Sequence, residues 1–66
     1  MTLDELIESR GFKPKSFAKV AGIERASLGQ YRRGINIPNL TNAAKIAKAL
    51  GVSIEEVAVC FEKEEK

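Results

Sequence analysis

The segment PKSFAKVAGIERASLGQYRR, residues 14–33, contains the strongest fold signal in the sequence. Pro14 suits the first turn of a helix, because its ring fixes φ near the helical value. Gly22 can adopt the left-handed conformation that ends a helix, and a second apolar helical pattern begins near Arg25. Ala18, four residues before Gly22, is small enough for another helix to cross close over it. The segment therefore predicts two short helices joined by a tight turn, the geometry of a helix-turn-helix.

Local signals outside this segment predict three further helices. Thr2 with Glu5, and Ser53 with Glu56, have the spacing of a capping box, which marks the start of a helix. No segment alternates polar and apolar residues over the length of a strand, so the sequence predicts an all-α fold of five helices. The predicted helices span residues 3–10, 14–21, 24 or 25 to 33, about 40–50 after a cap at Asn39 or Thr41, and 54 to about 61.

Apolar residues at helical spacing in each predicted helix form the expected core. We predict a single domain at 1–61, followed by a charged tail at 62–66. The residues expected in the core are Leu3, Leu6, Ile7, Phe17, Ala18, Ala21, Ile23, Leu28, Tyr31, Leu40, Ala43, Ala44, Ile46, Ala47, Leu50, Ile54, Val57, Ala58 and Phe61.

The composition excludes several classes of protein. The 66 residues include one cysteine and no histidine, which rules out a disulfide framework, a metal site built on histidine or clustered cysteines, and catalysis by a histidine base. We therefore expect no cofactor, no metal and no enzymatic activity. No stretch approaches the roughly 18 apolar residues of a membrane span, and no signal peptide is evident. A lone cysteine fits a reducing compartment, so we expect a cytoplasmic protein.

The formal net charge of +2 conceals an uneven distribution of charge along the chain. Residues 1–51 contain nine basic and four acidic residues, a net charge of +5, whereas residues 52–66 carry a net charge of −3. A basic body of this kind suits a polyanionic partner. Because a helix-turn-helix presents its second helix to the major groove of DNA, the charge and the predicted geometry point to the same partner.

From about Leu6 to Val57 the chain resembles the Cro/cI-type helix-turn-helix family, also called the xenobiotic-response-element type or lambda-repressor-like family. The resemblance implies a five-helix domain whose second and third helices contact double-stranded DNA. Family members are mostly transcription regulators of phages, plasmids and bacteria, and this resemblance favours a sequence-specific repressor that occupies an operator. The residues that carry the resemblance are Gly11, Phe17-Ala18, Gly22-Ile23, Leu28, Arg33-Gly34, Pro38, Leu40 and the run KIAKALGVS at 45–53.

The resemblance also implies roles for residues on and around the third helix. Arg25, Ala26 and Gln30 match the family's base-reading positions, with Ser27 near a base or a phosphate. Arginine can bind guanine through two hydrogen bonds, and glutamine can bind adenine in the same way. The residues expected to contact the DNA backbone are Lys13, Lys15, Arg32, Arg33 and Asn36, with Lys19 a weaker candidate.

Four residues depart from the family pattern. Pro14 replaces a glutamine that clamps a phosphate in many members, so that contact is lost. Glu24 stands at the usual serine or threonine cap of the third helix, where its charge repels phosphate. Many members have an acidic residue at the position of Arg32, paired with a first-helix arginine; because Ile7 stands at the latter position, we expect no such pair and a free Arg32. Gly29 weakens the third helix or permits a close backbone approach.

The fifth helix is the expected site of dimerisation. Val59 and Cys60 lie off its predicted core face, next to Phe61, and a two-fold dimer formed there would place two third helices on a palindromic operator about 34–36 Å apart. A different function also fits the sequence: a protein-interaction module, such as an antitoxin-like or phage accessory protein, that keeps the fold without specific DNA binding. Pro14 and Glu24 favour this alternative, and the basic residues oppose it.

Overall fold

A computed structural model describes residues 1–62, which form five α-helices and one 3₁₀ turn and contain no strand. This architecture confirms the predicted all-α, five-helix fold. Of the charged tail predicted at 62–66, only Glu62 falls within the described residues, and residues 63–66 lie outside them. The elements are α1 Leu3–Ser9, the 3₁₀ turn Pro14–Ser16, α2 Phe17–Ala21, α3 Arg25–Arg33, α4 Leu40–Leu50 and α5 Ile54–Val59.

Side-chain caps fix the starts of α1, α4 and α5. Both predicted capping boxes are present; in the first, the Glu5 backbone N–H donates to Thr2 Oγ1 at 3.1 Å and the Thr2 N–H donates to Glu5 Oε1 at 2.8 Å. Of the two candidate caps for α4, Asn39 performs the role, because its Oδ1 accepts from the Asn42 N–H at 2.8 Å. Such caps satisfy backbone donors that the helix itself cannot pair.

The turn between α2 and α3 is built as the sequence predicted. Gly22 has φ +74°, a left-handed conformation that costs glycine little and other residues more. The backbone N–H groups of Gly22 and Ile23 both donate to the carbonyl oxygen of Ala18, at 2.9 and 3.0 Å. Ala18 is buried at this crossing. The turn therefore ends α2 and directs the chain into α3 within three residues.

The segment predicted as one helix at 14–21 is divided in two, so that prediction was wrong in its first turn. Residues Pro14–Ser16 form a 3₁₀ turn, and the α-helix begins only at Phe17. Ser16 has φ −108° and ψ 4°, outside helical values, and its Oγ donates to the carbonyl oxygen of Lys13 at 3.4 Å. A serine side chain that bonds local backbone groups competes with the helix in this way.

One hydrophobic core draws residues from all five helices. Helices α2 and α5 pack on α4, and α1 and α2 pack on α3. The Arg10 side chain joins the ends of α1 and α4, because its Nε donates to the carbonyl oxygen of Leu50 at 2.9 Å. The buried apolar residues, all of them predicted, are Leu3, Leu6, Ile7, Phe17, Ala18, Ala21, Ile23, Leu28, Tyr31, Ile46, Ala47, Leu50 and Val57.

Three residues expected in the core lie on the surface instead. Leu40, Ile54 and Ala58 are exposed, and Leu40 is 75% accessible. Leu40 lies on the apolar stripe of α4 but at its first position, and Ile54 is the first residue of α5.

None of the helices in residues 1–62 is long and apolar enough to cross a membrane.

Candidate nucleic-acid interface

Helix α3 turns one face to the core and the opposite face to solvent. Leu28 and Tyr31 are buried, whereas Arg25, Ala26 and Gln30 are exposed. Ser27, the fourth predicted base-reading residue, is half-buried. The predicted reading residues thus share the accessible side of a helix whose other side is fixed by the core.

A basic cleft opens between α2 and the start of α3. We use this name for a depression of about 390 Å³ with three cationic side chains, Lys15, Lys19 and Arg25, in its lining. Ser16 also lines the cleft, above a floor that includes the buried Ala18 and Ile23. The cleft therefore joins a base-reading candidate to backbone-contact candidates on a single concave surface.

The lining of the basic cleft includes Lys19, which was predicted as a weaker candidate, and Ser16, which was not among the predicted site residues. Lys15 and Lys19 are four residues apart, a spacing that would place them on one side of the single helix predicted at 14–21. Lys13, in contrast, is exposed before the 3₁₀ turn and does not line the cleft.

The loop after α3 folds back onto that helix. Gly34 ends α3 with φ +75°, and the Ile35 N–H donates to the carbonyl oxygen of Gln30 at 3.0 Å. This turn brings Asn36 beside Gln30, and the Asn36 Nδ2 group donates to Gln30 Oε1. Arg33 is exposed at the end of α3. Three predicted contact residues are therefore grouped at this end of the helix.

Arg32 is engaged in an ion pair, so the expectation of a free Arg32 was wrong. Its Nε donates to Asp4 Oδ1 at 2.8 Å and its Nη2 donates to Asp4 Oδ2 at 3.3 Å. This bond raises the pKa of the Arg32 guanidinium above its ordinary value. The prediction considered only Ile7 as the partner position, but Asp4 precedes it by nearly one helical turn. The pair joins α1 to α3, but here the acidic residue is on α1 and the arginine is on α3, the opposite of the arrangement that the family resemblance implied.

A second bond fixes the same end of α3 to α4. The Asn42 Nδ2 group donates to the Tyr31 hydroxyl oxygen at 2.8 Å. Tyr31 is 8% exposed, so its ring is packed in the core while its hydroxyl reaches a polar partner. Together with the Arg32–Asp4 ion pair, this bond holds the carboxyl-terminal half of α3 from two sides.

A separate apolar groove lies between the loop before α4 and helix α5. Its volume is about 370 Å³, and three of its lining residues, Ile37, Leu40 and Ile54, are large, apolar and exposed. Isolated exposed apolar residues are ordinary, but a contiguous apolar patch often marks an interface. The remaining lining residues are Pro38, Ala43, Val57, Ala58 and Phe61.

The three residues predicted for a dimer interface differ in exposure: Val59 is exposed, whereas Cys60 and Phe61 are half-buried. Val59 is 49% exposed, as expected, and Phe61 is half-buried in the floor of the apolar groove. Cys60 does not lie clear of the core: it is half-buried against core residues, and its thiol donates to the carbonyl oxygen of Glu56 at 3.6 Å. Burial raises the pKa of the Cys60 thiol.

Comparison with known proteins gives one family match and two relatives. Residues 3–57 match the sequence profile of the family described as Helix-turn-helix. An uncharacterized HTH-type transcriptional regulator of Haemophilus influenzae is 40% identical over 53 residues, which are 80% of this chain and 22% of that protein. A 2-C-methyl-D-erythritol 2,4-cyclodiphosphate synthase of Deinococcus radiodurans is 38% identical over 61 residues, 92% of this chain and 34% of that protein. The chain thus spans only about a fifth to a third of these relatives, and no solved structure matches it.

Proposed function

The chain belongs to the helix-turn-helix family of DNA-binding regulators, as its resemblance implied, and from this premise we propose that it binds specific double-stranded DNA sequences and represses transcription by occupying an operator. The family is not enzymatic, which confirms that prediction from the sequence. The observation that carries the proposal is the basic cleft, because it lies beside the exposed face of α3. The relative named a transcriptional regulator supports it.

Base reading is assigned to the exposed face of α3. Arg25 can present two donors to guanine, and Ala26 can contact a thymine methyl group. Gln30 lies one turn further along the same face. Each good two-bond contact contributes about 1–3 kcal/mol of discrimination between bases, so Arg25 and Gln30 suffice for a marked preference at two positions.

Backbone contacts are assigned to the cations around that face. Lys15 and Lys19 in the basic cleft, with Arg33 at the far end of α3, are exposed and span the reading helix. Each phosphate that they neutralise adds nearly one unit to the log–log salt dependence of binding. Lys13, before the 3₁₀ turn, and Asn36, in the loop after α3, remain proposed contacts to the DNA backbone.

A titration with DNA tests the proposal directly. We expect Lys15→Ala to weaken binding to all duplexes alike and to flatten the salt dependence, whereas Arg25→Ala lowers the preference for the selected operator. Lys48→Ala is the matched control, since Lys48 is an exposed lysine on α4 outside the cleft. An absence of binding to any duplex at low salt would overturn the proposal.

We further propose that the protein is a homodimer on a palindromic operator in the cytoplasm, and that the apolar groove forms its interface. Leu40 and Ile54 supply apolar surface that a second copy would cover, and Phe61 lies in the floor of the groove. Sedimentation on and off DNA tests this. Leu40→Asp should abolish the dimer, whereas Val20→Asp, at an exposed apolar residue of α2 outside the groove and outside α5, should not. A monomeric wild-type protein on DNA would contradict the idea.

The alternative function is a protein-interaction module. It is favoured by Glu24, which is exposed at the start of α3 with no side-chain capping bond, and by the absence of a side-chain donor at Pro14. Both features weaken phosphate binding near the basic cleft. Binding to random duplex at two salt concentrations separates the functions, because only a DNA-binding protein gives salt-sensitive association.

A further inference from the structure

The hydrogen bond between Asn36 and Gln30 fixes the orientation of a side-chain amide on the reading face. Asn36 Nδ2 is the donor and Gln30 Oε1 is the acceptor. The contact depends on the turn at Gly34, where the bond from the Ile35 N–H to the Gln30 carbonyl oxygen returns the chain over the last turn of α3. The side chains of Asn36 and Gln30 are both exposed, so neither is held by burial in the core.

This bond determines which groups Gln30 offers to DNA. An unrestrained glutamine offers both its carbonyl and its NH₂ group and binds adenine through N6 and N7. Here the carbonyl oxygen faces the loop. Since the amide is planar, the Nε2 group and its two donors point away from Asn36.

We propose that Asn36 is a positioning residue that makes Gln30 a donor-only reader and so selects guanine over adenine. The inference rests on the proposed DNA-binding function. Guanine presents two acceptors, N7 and O6, in the major groove, whereas adenine presents N7 beside the N6 donor group. An oriented Nε2 group can donate to both guanine acceptors, whereas at adenine one of its donors would face the N6 donor group.

Binding to four duplexes that differ only at the base pair read by Gln30 tests the inference. Gln30→Ala identifies that position as the one at which preference is lost. We expect the wild-type protein to prefer guanine there by about 5- to 150-fold, the range of one good two-bond contact, and Asn36→Ala to reduce this ratio to below about threefold. The thermal midpoint of Asn36→Ala should stay near that of wild type, because Asn36 is exposed.

Asn36→Asp gives a more specific test than Asn36→Ala, because it should change which base is preferred and not only weaken the preference. Aspartate only accepts hydrogen bonds, so the Gln30 amide should reverse and direct its carbonyl oxygen to the DNA. The base preference should then move to adenine or cytosine, whose amino groups are donors. Added negative charge lowers affinity for every duplex, so the measured quantity is the ratio between bases. Arg33→Gln is the control for a uniform loss.

The outcomes separate this inference from the function on which it rests. If the wild-type protein binds no duplex preferentially, the proposed function fails. If wild type reads the position but prefers adenine, or if Asn36→Ala weakens all four duplexes equally as Arg33→Gln does, Asn36 acts only as a backbone contact and the positioning role is refuted.

Discussion

Arg32 and Arg33 are adjacent arginines that should respond in opposite ways to the same substitution. Arg32 donates two hydrogen bonds to Asp4, at 2.8 and 3.3 Å, whereas Arg33 is exposed. We expect Arg32→Gln to lower the stability of the fold and to leave the salt dependence of DNA binding unchanged. Arg33→Gln should leave the stability of the fold unchanged and should weaken the salt dependence of DNA binding. Both variants lose one positive charge, so each controls for the net charge of the other.

The expected magnitudes follow from the geometry of the pair. The Arg32 and Asp4 side chains are 26% and 40% exposed, intermediate between a surface pair and a buried one. Exposed pairs contribute about 0.2–1 kcal/mol and good two-bond geometry favours the upper end, so we expect about 1 kcal/mol. In a domain of this size that is about 4–8 °C in the thermal midpoint. A lost phosphate contact at Arg33 would lower the salt slope by about 0.9.

Thermal unfolding and DNA titrations at several salt concentrations measure the two quantities. A double-mutant cycle of Asp4→Ala and Arg32→Gln should return a coupling near 1 kcal/mol, which separates the pair from any effect of Asp4 on the dipole of α1. The reasoning is refuted if Arg32→Gln flattens the salt slope by nearly one unit while the coupling is zero, since Arg32 would then bind phosphate and not Asp4.

Other positions give separate tests. Gly29→Ala should stabilise the protein by about 0.5–1 kcal/mol in urea unfolding, because an added Cβ would meet no atom closer than 3.9 Å; weaker DNA binding by this variant would reveal a close backbone approach. Arg10→Met should cost about 1 kcal/mol through the lost bond to the Leu50 carbonyl oxygen. Ile46→Ala should cost about 2–5 kcal/mol and largely unfold a small domain, as circular dichroism would show. Iodoacetamide should alkylate folded Cys60 more slowly than the urea-unfolded chain at pH 9, because burial raises the pKa of the Cys60 thiol and leaves less thiolate; equal rates would contradict this.

Helix starts and ends were predictable because their signals are local. Thr2 and Ser53 form their capping boxes, and Gly22 adopts the positive φ that its position required. Each of these interactions joins residues within four positions of one another, so spacing alone determines them. The divided helix at Ser16 is the exception, because the choice between a 3₁₀ turn and an α-helix depends on a small energy difference that propensity does not resolve.

Contacts between distant residues were not predictable from spacing. The Arg32–Asp4 pair joins residues 28 positions apart, and it forms because α1 packs on α3 at a particular rotation. Leu40 lies on the correct stripe of α4, yet it is exposed at the first position of that helix. Burial at the ends of a helix is thus set by neighbouring elements, which a periodic pattern in one helix does not contain.

The bonds that hold α3 in the fold lie apart from the residues that are proposed to read DNA. Its bonds to α1 and α4 come from Arg32 and Tyr31, near its end, while the side chains of Arg25 and Ala26 are exposed and make no hydrogen bond within residues 1–62. Substitutions at these two positions therefore carry little cost to stability. Given the base-reading role proposed for Arg25 and Ala26, new operator preferences can arise there, by natural drift or in a randomised library, without compensating changes elsewhere in the domain.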